Sequence, residues 1–351
     1  MDKTLASLSD EQERLAQLNL AIEQDPERLE AYYARSEIYF SLGNYEAGIK
    51  DLDAIVQRDN QQILAYMFRG YGYGELDNHQ QAIANYNLAI SLCPNYAKAY
   101  FNRGTVYNRL KQYTEAIADY DLAIKYNPNY TEAYYNRGLV CNKLNRSQQA
   151  IADYTQVIRL NPNDSEAYYN RANTYNKSRQ YDLALADYDR VVTLNPHDLE
   201  AYYNRANVYH KTKAYSQAIA DYTTIIERNS RHAPTYYNRA TTYLAERKYQ
   251  QAIADYSKAI DLNPQYAEAY YNRAIAYNKI EEYQQAIASH QAAIDLNGNY
   301  AEAYGNLGLA YLAIGNKAQA INNLRKSAIL FKEQNNQPLY KYVIDKLEAL
   351  Q

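Results

Sequence analysis

A column of asparagines is the first chemistry that the sequence offers. Asn102, Asn136, Asn170, Asn204, Asn238, Asn272 and Asn306 recur every 34 residues, each inside the letters YYNR or a near variant. A carboxamide presents a donor and an acceptor side by side, which complements the C=O and N–H of an extended peptide backbone. Asn is a poor helix former, so its recurrence within helical copies needs a cause. Either the amides grip a peptide chain with little regard to its side chains, or they cap or bridge neighbouring helices. The preceding letter is aromatic in Phe101, Tyr135, Tyr169, Tyr203, Tyr237 and Tyr271, and Tyr supplies flat apolar area with a wet tip. Lys143, Lys177 and Lys211, with Arg109 and Lys279, form a cationic column. It pairs with the acidic column of Glu30, Glu132, Glu166, Glu200, Glu268 and Glu302, or else it favours acidic ligand side chains.

Other chemistry is sparse. His79, His197, His210, His232 and His290 are scattered without an HExxH pattern, and there is no P-loop or GxGxxG. Cys93 and Cys141 show no metal-type spacing. Carboxylates recur with the repeat and do not converge. The expectation is a non-enzyme without metal or cofactor.

The elements that position these columns follow from the period. With position 1 of a repeat at Ala97, a 34-residue frame runs without insertion from Leu29 to Gln334, giving nine repeats. Position 4 is Tyr throughout, position 8 is small, position 11 is Tyr except at Cys141, position 20 is Ala except at Gly48, and position 24 is mostly Tyr. Spacings of three and four place positions 4, 8 and 11 on one face of a first helix, and positions 17, 20, 21, 24, 27 and 28 on one face of a second. Asn-Pro at positions 31 and 32 is expected to stop the second helix. The chain holds 43 Tyr against 4 Phe and no Trp, and these positions supply many of them. Position 7 is Arg in eight repeats and position 23 is Asp in six, which predicts an Arg–Asp clasp between the two helices, with Asn85 and Ser289 accepting from Arg69 and Arg273.

This pattern resembles the tetratricopeptide repeat (TPR), in the Tyr-rich style common in cyanobacteria and other bacteria. The resemblance implies an all-α solenoid, a right-handed superhelix of antiparallel helix pairs. It implies an N-terminal half-repeat over residues 1–28, tandem repeats over 29–334 and a capping helix over 335–351. It also implies that positions 5, 6, 12 and 13 line a concave groove, as in the Asn-lined superhelix of O-linked N-acetylglucosamine transferase. Arg at position 7 departs from the usual Leu. The family's carboxylate clamp needs Lys at position 5 and Arg at position 6, and neither occurs here. The expected function is a protein–protein interaction scaffold holding an extended, acidic peptide. Single-stranded nucleic-acid binding is an alternative, opposed by the acidic column and a net charge of −3, and self-association is another. No apolar segment is long enough to span a membrane, and two unpaired cysteines suit a reducing compartment, so a cytoplasmic location is expected.

Overall fold

The spacing of three and four residues is realised as helices along the whole chain. The computed structural model describes residues 2–350, with side chains from Asp10 onward. Met1 and Gln351, the outermost residues of the two expected caps, lie outside the described residues. Every described element is an α-helix, and no strand occurs among the described residues. One compact unit, Met1–Ser178, holds α1 (Asp2–Gln24), α2 (Leu29–Ser41), α3 (Tyr45–Arg58), α4 (Ile63–Glu75), α5 (His79–Leu92), α6 (Ala97–Arg109), α7 (Tyr113–Tyr126), α8 (Thr131–Lys143), α9 (Ser147–Leu160) and α10 (Ser165–Lys177). The other, Arg179–Gln351, holds α11 (Tyr181–Leu194), α12 (Leu199–Lys211), α13 (Tyr215–Arg228), α14 (Ala233–Ala245), α15 (Tyr249–Leu262), α16 (Ala267–Lys279), α17 (Tyr283–Leu296), α18 (Ala301–Ala313), α19 (Lys317–Glu333) and α20 (Gln337–Glu348).

The chain turns between the two helices of a repeat at position 15, which adopts the left-handed conformation. Gly43 and Gly315 suit it, at φ 72° and 79°, yet Lys111, Lys213 and Arg247 hold φ near 60° there, at a cost of about 1 kcal/mol each. The second helix ends at position 31 whether or not Pro follows. Asn161, before Pro162, breaks at φ −134°, and Asn229, before Ser230, at −139°. The Asx side chain does this work. Asn229 Oδ1 accepts from Arg231 N at 3.2 Å, and Asp59 Oδ1 from Gln61 N at 2.9 Å, closing an Asx turn that competes with the helix. The stop expected of Pro therefore belongs largely to its neighbour.

Within a repeat the helices run antiparallel: Tyr100 at position 4 stacks on Tyr126 at position 30, and Gly104 at position 8 meets Tyr120 at position 24. The position-24 ring is the centre of the core. Tyr120, Tyr154 and Tyr256 are fully buried. A small residue opposite is required, because a Cβ on Gly138 would lie 2.9 Å from the Tyr154 ring. Gly48 is the same device reversed, since a Cβ there would overlap the Phe40 ring. It accommodates a large neighbour that the loss of helix propensity alone would not reveal.

The position-7 guanidinium joins three helices. Arg205 donates to both carboxylate oxygens of Asp221 at 2.8 and 2.6 Å, and its Nη1 reaches Asp189 at 2.7 Å. Its plane lies 5.2 Å from the centre of the Tyr202 ring and 5.8 Å from that of Tyr209, within cation–π range. The third partner is position 25 of the preceding repeat. It recurs as Asn19 for Arg35, Asn87 for Arg103, Asp121 for Arg137, Thr223 for Arg239 and Ser257 for Arg273. Positions 4 and 11 thus flank the guanidinium, while position 24 fills the centre. Ser289 accepts from Arg273 as expected, at 3.2 Å. Asn85 does not accept from Arg69: its amide donates to Gln81 O at 2.8 Å, and Arg69 pairs with Asp53 at 3.1 Å.

α1 fills most of the expected half-repeat, Asp2–Gln24, with no Gly or Pro to interrupt it. α19 runs 17 residues where the other second helices run 14, because Phe331 and Lys332 replace Asn-Pro. Val343 and Leu347 of α20 bury against Leu324, Leu330 and Phe331, whereas Leu339 stays exposed.

Two stability predictions follow from this core. Burial pushes the Asp221 carboxyl above its usual range while Arg205 pulls it back. Arg205→Met strands that carboxyl and should cost about 3–5 kcal/mol in urea titrations, whereas Arg205→Met with Asp221→Leu should recover most of it. His290 occupies the position-24 site, fully buried, and burial pushes its pKa down to about 3. The unfolded chain takes up this proton near pH 6.5 and the folded chain does not, so stability is lost as pH falls from 6.5 toward 3. Urea titrations should show the wild type losing about 2 kcal/mol more than His290→Tyr between pH 7 and pH 5.

Candidate functional site

The asparagine column bridges repeats through the tyrosine column. Asn272 Nδ2 donates to Tyr237 Oη at 2.8 Å, Asn306 to Tyr271 at 3.0 Å, Asn238 to Tyr203 at 2.8 Å and Asn170 to Tyr135 at 2.9 Å. Each bond runs from position 6 of one repeat back to position 5 of the repeat before. Asn238 also donates to Asn207, and Asn170 to the Glu166 carbonyl. Asn204 and Tyr169 also have interactions within the chain. Asn136 has no hydrogen-bond partner among the described residues. The residue 35 positions before it is Phe101, whose ring has no hydroxyl. The donor side of most of this column is thus committed within the chain, while no hydrogen bond reaches Oδ1 of Asn272 or Asn306 from the described residues.

The tyrosine rings are fixed by packing. Tyr237 stacks on Tyr266 with centroids 4.8 Å apart, and Tyr271 lies 4.8 Å from Tyr300. On their other side they meet the position-24 column, Tyr256 for Tyr237 and His290 for Tyr271. The position-34 rings, Tyr266 and Tyr300, were not among the residues singled out from sequence; their recurrence one step before the next first helix was the available signal. Burial pushes the Tyr135 hydroxyl up to about 12, and this hydroxyl donates to Glu166 at 3.1 Å.

Lys143 and Lys177 of the cationic column bond to amides and not to the acidic column. Lys143 Nζ reaches back to Asn108 Oδ1 at 3.3 Å and lies over the Tyr113 ring, and Lys177 donates to Asn145 at 2.6 Å. Lys211 is also engaged. Meanwhile Glu132, Glu268 and Glu302 have no hydrogen-bond or ion-pair partner among the described residues.

Clefts open on this face at one register. A cleft of about 460 Å³ is lined by Phe101, Glu132, Tyr135, Asn136, Asp164 and Glu166, among others. One of about 440 Å³ in the second unit is lined by Glu200, Tyr203, Asn204 and His232. A smaller one, about 220 Å³, has Tyr271, Glu302 and Asn306 in its wall. Each combines a position-2 carboxylate, a position-5 ring and a position-6 amide.

Position 12 also bridges repeats. Asn142 donates to Thr174 at 2.8 Å, and His210 Nδ1 lies 2.9 Å from Thr242. Asn278 finds Ala310 in place of that Thr, and its Oδ1 is buried without a partner. Burial pushes the Cys141 thiol up to about 11, which leaves it unreactive. No three His, Cys, Asp or Glu side chains cluster as metal ligands among the described residues. No described helix is long and apolar enough to cross a membrane.

Comparison with known proteins supports the repeat assignment. Family profiles described as tetratricopeptide repeat match residues 97–130, 131–164, 165–198, 199–232 and 233–266, and also 29–62, 256–288 and 301–328; one described as TPR repeat matches 70–111. The curated proteins give no match. Among solved structures, the C-terminal part of a TPR repeat-containing protein from Cytophaga hutchinsonii is 18% identical, covers 68% of this chain and 98% of its own, and has a TM-score of 0.60. YrrB, described as a TPR protein with an unusual peptide-binding site, is 22% identical over 52% of this chain and 95% of its own, at a TM-score of 0.48. MamA is 23% identical over 49% and 94%, at 0.47.

The bridging bonds separate the asparagines into two kinds. Asn272→Ala removes a bond and should lower stability by about 0.5–1.5 kcal/mol, less the helix propensity gained. Asn136→Ala removes none and should leave the melting temperature equal or higher. Phe101→Tyr supplies the missing hydroxyl and should stabilise by about 1 kcal/mol. Thermal melts that rank Asn136→Ala below Asn272→Ala would contradict this assignment.

Proposed function

The chain belongs to the tetratricopeptide repeat family, and from that premise we propose that it is a non-catalytic protein-interaction scaffold. Its ligand is an extended or disordered segment lying along the first-helix face. The observation that carries this reading is the recurrence of one cleft chemistry at one repeat register, in the Phe101–Glu166, Leu199–Pro234 and Tyr271–Val343 clefts. Equivalent clefts within the second unit suit a ligand that is itself linear and periodic.

The residue roles divide accordingly. Asn136 offers both donor and acceptor to a ligand backbone. Asn272 and Asn306 offer the carbonyl oxygen, because their N–H groups are bound to tyrosine. Tyr135, Tyr203 and Tyr271 form cleft walls. The charge preference follows from the two columns. Lys143 and Lys177 are bonded within the chain, so they do not favour an acidic ligand. Glu132 and Glu302 line clefts without a partner, so basic ligand side chains fit. Carboxylates in the clefts also oppose a nucleic-acid backbone.

Calorimetry with synthetic decapeptides of alternating Lys and Ser, set against Asp and Ser counterparts, tests this. The Lys series should bind and weaken with salt. Glu132→Lys and Glu302→Lys should each weaken it about two- to fivefold, as expected for exposed ion pairs. Tighter binding of the Asp series to the wild type would sink the charge assignment, and absence of binding by both would sink the linear-peptide reading.

A further inference from the structure

One cleft at the same register has the opposite chemistry. It lies between α4 and α6, has a volume of about 330 Å³, and is lined by Leu64, Met67, Phe68, Tyr71, Tyr96, Lys98 and Asn102. Position 2, an acid in six repeats, is Leu64 here and Lys98 in the next repeat. Position 6, usually Asn, is Phe68. No carboxylate lines this cleft.

The apolar lining is open and fixed. Leu64 is 52% exposed and Tyr71 43% exposed, both unusual for large apolar side chains on a packed helix. Tyr71 is held edge-on against Phe40 and Tyr45, with ring centres 6.0 and 6.2 Å away. Lys98 is exposed at the rim, and it has no ion-pair or hydrogen-bond partner among the described residues. A rigid aromatic wall beside an unpaired cation is the arrangement that recognises an apolar anchor flanked by negative charge.

We propose that this cleft is a second docking site, which takes a bulky apolar side chain of an extended partner segment with a carboxylate adjacent to it in sequence. The side chain seats on Leu64, Phe68 and Tyr71, and the carboxylate pairs with Lys98. The site shares no carboxylate with the acidic clefts, so it stands whether or not basic peptides bind there.

The fold supplies its own control, because other repeats, such as that of Glu132 and Asn136, carry Glu and Asn at these positions. Leu64→Glu with Phe68→Asn therefore writes the common letters into α4. The probe is the fluorescein-labelled heptapeptide Gly-Ser-Asp-Phe-Asp-Ser-Gly, with counterparts in which Phe becomes Ser or both Asp become Lys, read by fluorescence anisotropy. The Asp-Phe-Asp peptide should bind the full chain, and the Ser counterpart should not. The double variant should bind it at least about tenfold more weakly. Lys98→Glu, on an exposed residue that cannot unfold the helix, should weaken it about fivefold and reverse the preference toward the Lys counterpart. Equal binding by wild type and double variant overturns the site, as does an unchanged preference in Lys98→Glu, or no binding of any peptide. Sedimentation showing a wild-type dimer that the double variant dissociates also overturns it, since a second copy would then be the occupant. If the double variant fails to fold, the Lys98→Glu comparison decides alone.

Discussion

A single guanidinium that bonds two helices of its own and preceding repeats sets the register of each unit. The first and second helices of a repeat touch through small residues and rings, and such contacts tolerate sliding. A planar fork with fixed donor directions does not. Arg137 satisfies Asp153 on one side and Asp121 on the other, so it fixes α8 against both α9 and α7. The Tyr134 ring at position 4 covers one face of it, and where position 11 is also Tyr, as at Arg205, a second ring lies against the guanidinium. Burying the pair is close to neutral in net energy. What it contributes is the alignment on which every other bridge depends.

Once the helices are aligned, positions 5 and 6 of successive repeats fall within hydrogen-bonding distance. The amide then serves the stack before it serves a ligand. This leaves Oδ1 of Asn272 and Asn306 and the carboxylates of Glu132, Glu268 and Glu302 without a hydrogen-bond partner among the described residues, while the amide donors of Asn272 and Asn306 and the ammonium groups of Lys143 and Lys177 are held. The polarity of the face is therefore set by what the stack leaves over, and composition alone, with a net charge of −3, does not disclose it.

Much of this was legible in the sequence. The helix pairs, the small residues at positions 8 and 20, and the Arg–Asp clasp all follow from spacings within one 34-residue period. The contacts that were not legible cross between periods. The third partner of each arginine is Asn19, Asp53, Asn87, Asp121, Thr155, Asp189, Thr223 or Ser257. These share only an oxygen that can accept, so no single letter fills the column to mark it. The Asn-to-Tyr bridge did recur in letters, but both of its readings used the same letters. Only the stacking distance decides whether the hydroxyl lies within reach. The Asx turn at position 31 was masked by the more conspicuous Pro beside it.

A repeat protein can vary its ligand chemistry only where a substitution does not undo the stack. Phe101 removes a hydroxyl from the bridge, and the Phe101–Tyr130 contact at 4.9 Å keeps the ring in place, so the helix stays packed while Asn136 is released. Phe68 removes an amide, and the Tyr33 hydroxyl turns to Gln62 at 3.4 Å instead. Arg69 loses its Asp at position 23 and keeps Asp53. In each case one arm of a two-armed contact is given up and the other retained. The redundancy that makes the stack rigid is thus also what permits local exceptions to it. Those exceptions, and not the consensus columns, are where this chain differs from one repeat to the next in what it can bind.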